Sequence, residues 1–356
     1  MGEPDAGMPN SRPRLFTRAA AMRLGVIAGL VSLLSLYGWN NSIRMPGSSY
    51  TGPLPALTAR DVALRERLRG HVVTLATHIG ARSTSVPAGL ARAEAYVRGE
   101  LTRAGYAETD EVSRADGVTC RNFVVERPGT TRPREVVIVG AHYDGVINKP
   151  AANDNASGTA ALIELARAFT HIDTARTLRF VAFTNEEPHH FQTESMGSLV
   201  NARRARQRGD DVVAMLSLET VGYDDTRPGS QQYPPPLSLF YPDRGDFIAF
   251  IGSTEMAPLV RRALGTFRAS ARFPSEGAAL SARTPGVGWS DHWSYWQVGY
   301  PAIMVTDSAP YRDPNYHTPR DTPDKLDFDR MTRVVAGLVP VVRDLATVDR
   351  RALTRD

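Results

Sequence analysis

The sequence predicts a single three-layer α/β domain behind a short apolar anchor helix at the N-terminus. Three observations predict it. Continuous apolar runs such as VVIVGA and FVAF read as strands buried on both faces, as in a sheet covered by helices. Amphipathic stretches of helical length alternate with those runs. An uncharged, mostly apolar run over residues 24–39 stands apart from both, directly behind a cluster of arginines.

The anchor comes first in the chain. Residues 1–23 form a basic segment in which Arg12, Arg14, Arg18 and Arg23 outweigh Glu3 and Asp5. Positive charge ahead of an apolar run orients an export signal with its N-terminus inside. The run LGVIAGLVSLLSLYGW at 24–39 is followed by NNSIRMPGSSY, which offers no small-residue cleavage site. An uncleaved signal anchor is therefore expected, with a cleaved signal peptide as the alternative. The remainder would work on the periplasmic side of an inner membrane, or be secreted if cleavage occurs. Residues 40–58, rich in Pro, Gly and Ser, read as a linker.

From residue 59 to 356 one domain is expected. Helices are predicted near 60–79 and 88–104, then strands at 122–126 and 136–140 and a helix at 157–169. A strand at 178–184, a helix at 196–208 and a strand at 212–218 follow. After the Pro-rich stretch RPGSQQYPPP come a strand pair at 237–241 and 247–251 and a helix at 257–269. A Gly/Pro-rich loop runs to 287, with a strand at 301–306 and a closing helix at 328–345. There is no internal repeat.

Composition bounds the function. With 42% apolar and 22% charged residues the chain is globular. Half of its net charge of +4 lies in the first forty residues, and only Lys149 and Lys325 are lysines. No basic run is interleaved with aromatics, so no nucleic-acid partner is expected. Cys120 is the sole cysteine, which excludes an intramolecular disulfide and a Cys-based zinc site; it reads as a small core residue.

The chemistry gathers where strands end, the place at which open α/β sheets bind ligands. His142 follows VVIVG, with Asp144 two residues on. In extended backbone the two point the same way, so the carboxylate can accept the second ring N–H of a metal-binding histidine. Alone, this H-x-D pair reads better as a structural histidine. Asp154 lies in NDNASG just before a helix that Asn155 or Ser157 can cap; it either joins that capping or bridges two metals. Glu186 and Glu187 end the run TLRFVAFTNEE. Adjacent carboxylates at a buried strand end repel unless a cation or a proton separates them, which suggests one ligand and one free base. Glu219 ends VVAMLSLE, and His317 sits in the loop DPNYHTPRDT before the last helix. His142, Asp154, Glu187, Glu219 and His317 thus make a nitrogen–oxygen set of the kind that suits a pair of zinc ions.

The stretches AHYD, NDNASG, NEE, SLETVGY, SDHWSYW and YHTPRDT together resemble the co-catalytic di-zinc aminopeptidase family, which also includes glutaminyl cyclases and glutamate carboxypeptidase II. The resemblance implies a central mixed, mostly parallel sheet in residues 59–356 and hydrolysis of N-terminal residues from peptide substrates. It implies that His142 and Glu219 hold one zinc, that Glu187 and His317 hold the other, and that Asp154 bridges them. Asp144 would orient His142, and Glu186 would be the general base. Tyr316 stands where some members carry an oxyanion-stabilising tyrosine. Asp291 in SDH matches a polar position beside the substrate; a helix cap is its other reading. Glu219 departs from the aspartate common in secreted members, and its longer side chain bears on how the substrate amine is held. His189 and His190 are expected to line the cleft rim with no metal role, because the ligand set is complete without them. The alternatives to an aminopeptidase are a glutaminyl cyclase and, behind it, a non-catalytic binding ectodomain.

Overall fold

The alternation of apolar side chains within each strand sets the layering. In the run VVIVGA, Val137 and Val139 join one apolar core while Val136 and Ile138 join another on the opposite side. A strand buried on both faces needs helices on both, and the computed structural model, which describes residues 17–354, has them. Arg12, Arg14, Glu3 and Asp5 lie outside the described residues.

The chain forms two units, residues 1–41 and 42–356. The first contains helix α1 (Arg18–Gly38), capped by the Thr17 hydroxyl, which accepts the Ala20 N–H at 3.1 Å. The helical backbone continues to Ile43, and Leu24, Val26, Leu30, Leu33 and Leu34 are each more than half exposed. At 1.5 Å per residue, α1 is ~30 Å long, about the thickness of a bilayer's hydrocarbon core.

The second unit begins with α2 (Ala59–Val73), entered through a capping box between Thr58 and Asp61, and α3 (Pro87–Arg103). Strands β1 (Glu108–Ala115), β2 (Val118–Arg127) and β3 (Arg132–His142) follow, then α4 (Gly158–Phe169), β4 (Arg176–Phe183), α5 (Gly197–Arg208) and β5 (Asp211–Glu219). The chain is completed by β6 (Ile248–Ser253), α6 (Ala257–Ser270), β7 (Ser275–Leu280), α7 (His292–Gln297), β8 (Ala302–Thr306), α8 (Phe328–Thr347) and α9 (Arg351–Thr354). The eight-stranded sheet has the order β1-β2-β4-β3-β5-β8-β6-β7. Its centre, β4-β3-β5-β8, is parallel; β2 and β6 run antiparallel to their inner neighbours. The larger core packs α2, α3, α4, α6 and α8 on one face. The smaller one lies under α5 and α7, where Ala202, Ala205 and Tyr295 meet Val181 and Met215.

Two expectations are corrected. Residues 237–241 are not a strand: Leu237–Leu239 is a single 3-10 turn, with Leu239 and Phe240 exposed rather than packed. The neighbour of β6 on the outer side is β7, from the stretch read as loop, where Gly277 and two alanines give little apolar signal. Strand β1, ETDEVSRA, is too polar to register as a strand; it gains its place as an edge by pairing with β2 along its whole length.

Candidate active site

Because β3, β4, β5 and β8 are parallel, their carboxyl ends share one edge: His142 pairs in register with Phe183, and Glu219 with Thr306. The next residues after each strand therefore meet. Of the eight non-glycine residues with positive φ among the described residues, all but Asp116 lie in these connections, so the backbone is held in sparsely populated conformations around this edge.

The motif NDNASG turns the chain between β3 and α4, and nearly every polar group in it is used. Asn155 Oδ1 accepts the Gly158 and Thr220 N–H groups at 3.0 and 3.1 Å, and its amide donates to the Leu218 carbonyl. Ser157 Oγ accepts from Val221 N–H, and Asn153 Oδ1 from Gly222 N–H. These bonds lock the loop to the end of β5. Only glycine fits at 158, since a Cβ there would stand 2.3 Å from Asn155 Oδ1 and 2.4 Å from the Leu218 oxygen. The cap expected from Asn155 or Ser157 comes from Asn155.

Asp154 is thereby left free to face the centre. Its Oδ1 lies 3.4 Å from His142 Nε2 and its Oδ2 2.9 Å from His317 Nε2, one oxygen toward each histidine. Glu219 Oε2 lies 3.2 Å from His142 Nε2, and Glu187 Oε2 lies 3.3 Å from His317 Nε2. Glu186 Oε2 is farther, 3.8 Å from His142 Nε2. Tetrahedral coordination at zinc bond lengths spaces ligand atoms by about 3.3 Å, so these separations suit a shared cation. Donor atoms of His142, Glu186 and Glu219, and of His142, Asp154 and Glu187, lie within 4.8 Å of one another. Asp144 approaches His142 Nδ1 at 3.5 Å, and its two oxygens accept the backbone N–H groups of Glu186 and Glu187 at 3.2 and 3.3 Å. It steadies the acid pair and faces the histidine ring.

The electrostatics support a cation. Asp154, Glu186, Glu187 and Glu219 are all buried, and His142 is completely so. Burial pushes Glu187 up to about 8, with the Asp154 carboxylate adding to the rise and His317 opposing it. Burial likewise drives Glu186 well above the usual range; His142 opposes the shift, and Glu219 and Asp291 reinforce it. Burial works against a charged His317, yet its bonds to Asp154 and Glu187 hold it at about 10. The two histidines overcome burial to keep Asp154 below its ordinary range. Glu187 Oε1 and His142 Nδ1 are buried with no hydrogen-bond partner among the described residues. A donor set of this kind, crowded and partly unsatisfied, fits divalent metal.

Several supporting residues carry no signal that spacing alone could reveal. Ser290 Oγ donates to Glu219 Oε2 at 2.7 Å. Asp321 accepts the Asn153 and Asp154 N–H groups at 2.7 and 3.1 Å, holding Asp154 from 167 residues away. Asp291 precedes α7 but caps nothing; both its oxygens are buried and unpartnered among the described residues, and burial lifts it to about 7. Tyr316 stacks on His317 at 3.8 Å between ring centres. His189 is exposed, as expected of a rim residue, but His190 is buried.

Beside the centre lies a cavity of about 810 Å³, counting open space at its mouth, lined by Glu219 and Tyr316 together with Tyr233, Tyr241, Phe247 and Trp289. The Pro-rich segment after β5 and the loop around β7 frame it.

Residues 122–342 match the model of peptidase family M28. The chain is 36% identical to YfbL, an uncharacterised protein of Escherichia coli, across 78% of this chain and 87% of that one. It is 29% identical to a probable leucine aminopeptidase 1 of Trichophyton verrucosum, covering 63% of this chain and 58% of that relative. It spans about half the length of the curated fungal relatives it matches. Among solved structures it resembles BSAP, a zinc aminopeptidase from Bacillus subtilis, with a TM-score of 0.61 at 14% identity, over 82% of this chain and 97% of that one. That likeness is one of fold.

Proposed function

This chain belongs to peptidase family M28, and on that premise we propose that it is a zinc-dependent aminopeptidase. It would remove N-terminal residues from peptides at the centre between His142 and His317. The observation that supports this reading most is the division of Asp154, one oxygen toward each histidine. His142, Asp154 and Glu219 would hold one zinc, and Asp154, Glu187 and His317 a second. When bound, such ions supply a more acidic water and a Lewis acid for the scissile carbonyl.

The remaining steps belong to the chain's own groups. Glu186, fixed by the Asp144 bond to its backbone, takes the proton of the attacking water and returns it to the leaving amine nitrogen. Tyr316 lines the cavity and is steadied by its stack on His317, and its hydroxyl donates to the oxyanion of the substrate carbonyl. The carboxylates of Glu219 and Asp291 receive the substrate's α-ammonium group; the unpartnered oxygens of Asp291 support that role. The aromatic cavity takes an apolar first side chain.

Residues 59–356 would carry catalysis, with residues 24–39 as a signal anchor, residues 1–23 as its basic flank and residues 40–58 as linker. The unit boundary at 41/42 and the exposed apolar side chains of α1 support the division between anchor and peptidase, although Met45 and Leu54 of the linker pack against the core of the second unit; the peptidase would lie on the periplasmic side. The test is metal removal. Chelator-stripped protein should not hydrolyse leucine p-nitroanilide and should regain activity on zinc addition. Full activity in the stripped protein, or none after zinc, would overturn the proposal.

A further inference from the structure

Outside this centre, a second group of metal-binding side chains meets at the cleft edge. Asp116 is the first residue of the tight turn between β1 and β2, at φ 51° and followed by Gly117 at φ 76°. His189 and His190 follow the acid pair after β4, and Thr84 comes from the segment before α3. Asp116 Oδ2 lies 2.8 Å from His189 Nε2, 3.1 Å from His190 Nε2 and 2.9 Å from the Thr84 hydroxyl. Oδ2 and both Nε2 atoms lie within 4.8 Å of one another.

We propose that Asp116, His189 and His190 form a separate zinc site that ties the β1–β2 turn to the loop carrying Glu186 and Glu187. The nitrogen–oxygen separations, 2.8 and 3.1 Å, are slightly shorter than the 2.9 to 3.4 Å of the centre already described, so the three side chains need to part only slightly to admit an ion. The surroundings suit the role. His190 Nδ1 faces the Ser195 hydroxyl at 2.9 Å, and Ser195 is paired in turn with Thr193. With the proton on Nδ1, donated to Ser195, Nε2 is left unprotonated; it faces Asp116 and also the Thr84 hydroxyl, at 2.9 Å, a contact that zinc held between Nε2 and Asp116 would replace. Thr84 donates to the same carboxylate oxygen and fixes its direction. Two imidazoles and one carboxylate select zinc over calcium or magnesium, which prefer all-oxygen shells. The Asp116 and His189 side chains are 42% and 60% exposed, so the site exchanges with solvent and keeps coordination positions for water or a carboxylate ligand. Bound zinc would brace the acid pair, because the His190 N–H donates to the Glu187 carbonyl at 2.9 Å.

The test counts zinc in the full-length, detergent-solubilised protein. Stripped wild type, Asp116→Asn, His189→Ala and the exposed-histidine control His171→Ala are each equilibrated with buffered zinc. Bound metal is measured by elemental analysis, and folding by circular dichroism. The proposal predicts that Asp116→Asn and His189→Ala each bind one zinc fewer per chain than wild type, with unchanged folding, while His171→Ala binds the wild-type number. Equal zinc in all four proteins would overturn it by showing a hydrogen-bonded cluster only. Equal loss in all three variants would overturn it by showing unspecific histidine binding.

Discussion

Replacing Glu186 with glutamine separates proton transfer from metal binding. The side chain keeps its size, and its backbone stays fixed by the 3.2 Å bond to Asp144, so no cavity opens and no neighbour moves. Glu186 is also the acid farthest from the histidine nitrogens, at 3.8 Å against 2.9 to 3.4 Å for the others, so zinc content should hold. General acid–base catalysis is worth roughly 10² to 10⁴ in rate, so kcat should fall by ~10³, about 4 kcal/mol of barrier. KM should change little. A second readout follows from burial, which raises the Glu186 pKa in the metal-free protein. A carboxyl whose pKa is higher folded than unfolded binds its proton more tightly in the native state. It therefore costs stability as pH rises above its ordinary range. Stripped Glu186→Gln should accordingly melt above stripped wild type at pH 8 and close to it at pH 4. Steady-state kinetics, elemental analysis and melting curves decide the matter. A kcat within tenfold of wild type, or loss of zinc, would refute the reasoning.

Three further outcomes are expected. Tyr316→Phe keeps the 3.8 Å stack on His317 and removes only the hydroxyl, so kcat should fall ~10²-fold with KM nearly unchanged; equal activity would remove Tyr316 from the mechanism. Chelator-stripped protein should lose stability from about pH 5 to pH 10. Glu187, raised to about 8, and Asp291, raised to about 7, cost stability as pH climbs toward those values, and His317, raised to about 10, gives up its contribution as pH rises through that value. Zinc-loaded protein should show a smaller decline, and parallel melting profiles would contradict the electrostatic account. Deleting residues 1–41 should move the protein from the membrane to the soluble fraction with kcat/KM within about twofold, since the second unit makes its own core. A retained membrane fraction would point to another anchor.

The sequence marks most of the clustered acids and histidines because His142, Glu186, Glu187 and Glu219 end or closely follow strands whose apolar runs are unmistakable, whereas Asp154 and His317 lie in longer loops. VVIVGA leads to His142, FVAF to Glu186 and Glu187, and MLSL to Glu219, and parallel pairing converts those separate positions into one edge. The helices are legible for a similar reason: α8 repeats its buried Met331, Val334, Val335 and Leu338 at helical spacing. The aromatic lining of the pocket has no pattern in the sequence to announce it. What escapes the sequence is interaction between residues far apart. Asp321 bonds two backbone N–H groups of the NDNASG loop, and Ser290 bonds Glu219 across 71 residues, with no periodic pattern to announce either. Asp116 meets His189 across 73 residues through a hairpin whose first strand is polar, so the histidine pair looks idle until β1 is in place. Strand β7 is hidden by small residues, because its burial comes from Leu264 and Met45 pressing against Gly277 rather than from its own side chains.

The measurement that tests the central claim most directly follows the products of one peptide set by mass spectrometry. The peptides have a free N-terminal leucine, an acetylated leucine or an N-terminal glutamine, and each is incubated with and without chelator. The account predicts chelator-sensitive release of the first residue from free N-termini alone. Loss of ammonia from the glutamine peptide without cleavage, or cleavage of the acetylated peptide at the same rate, would contradict it.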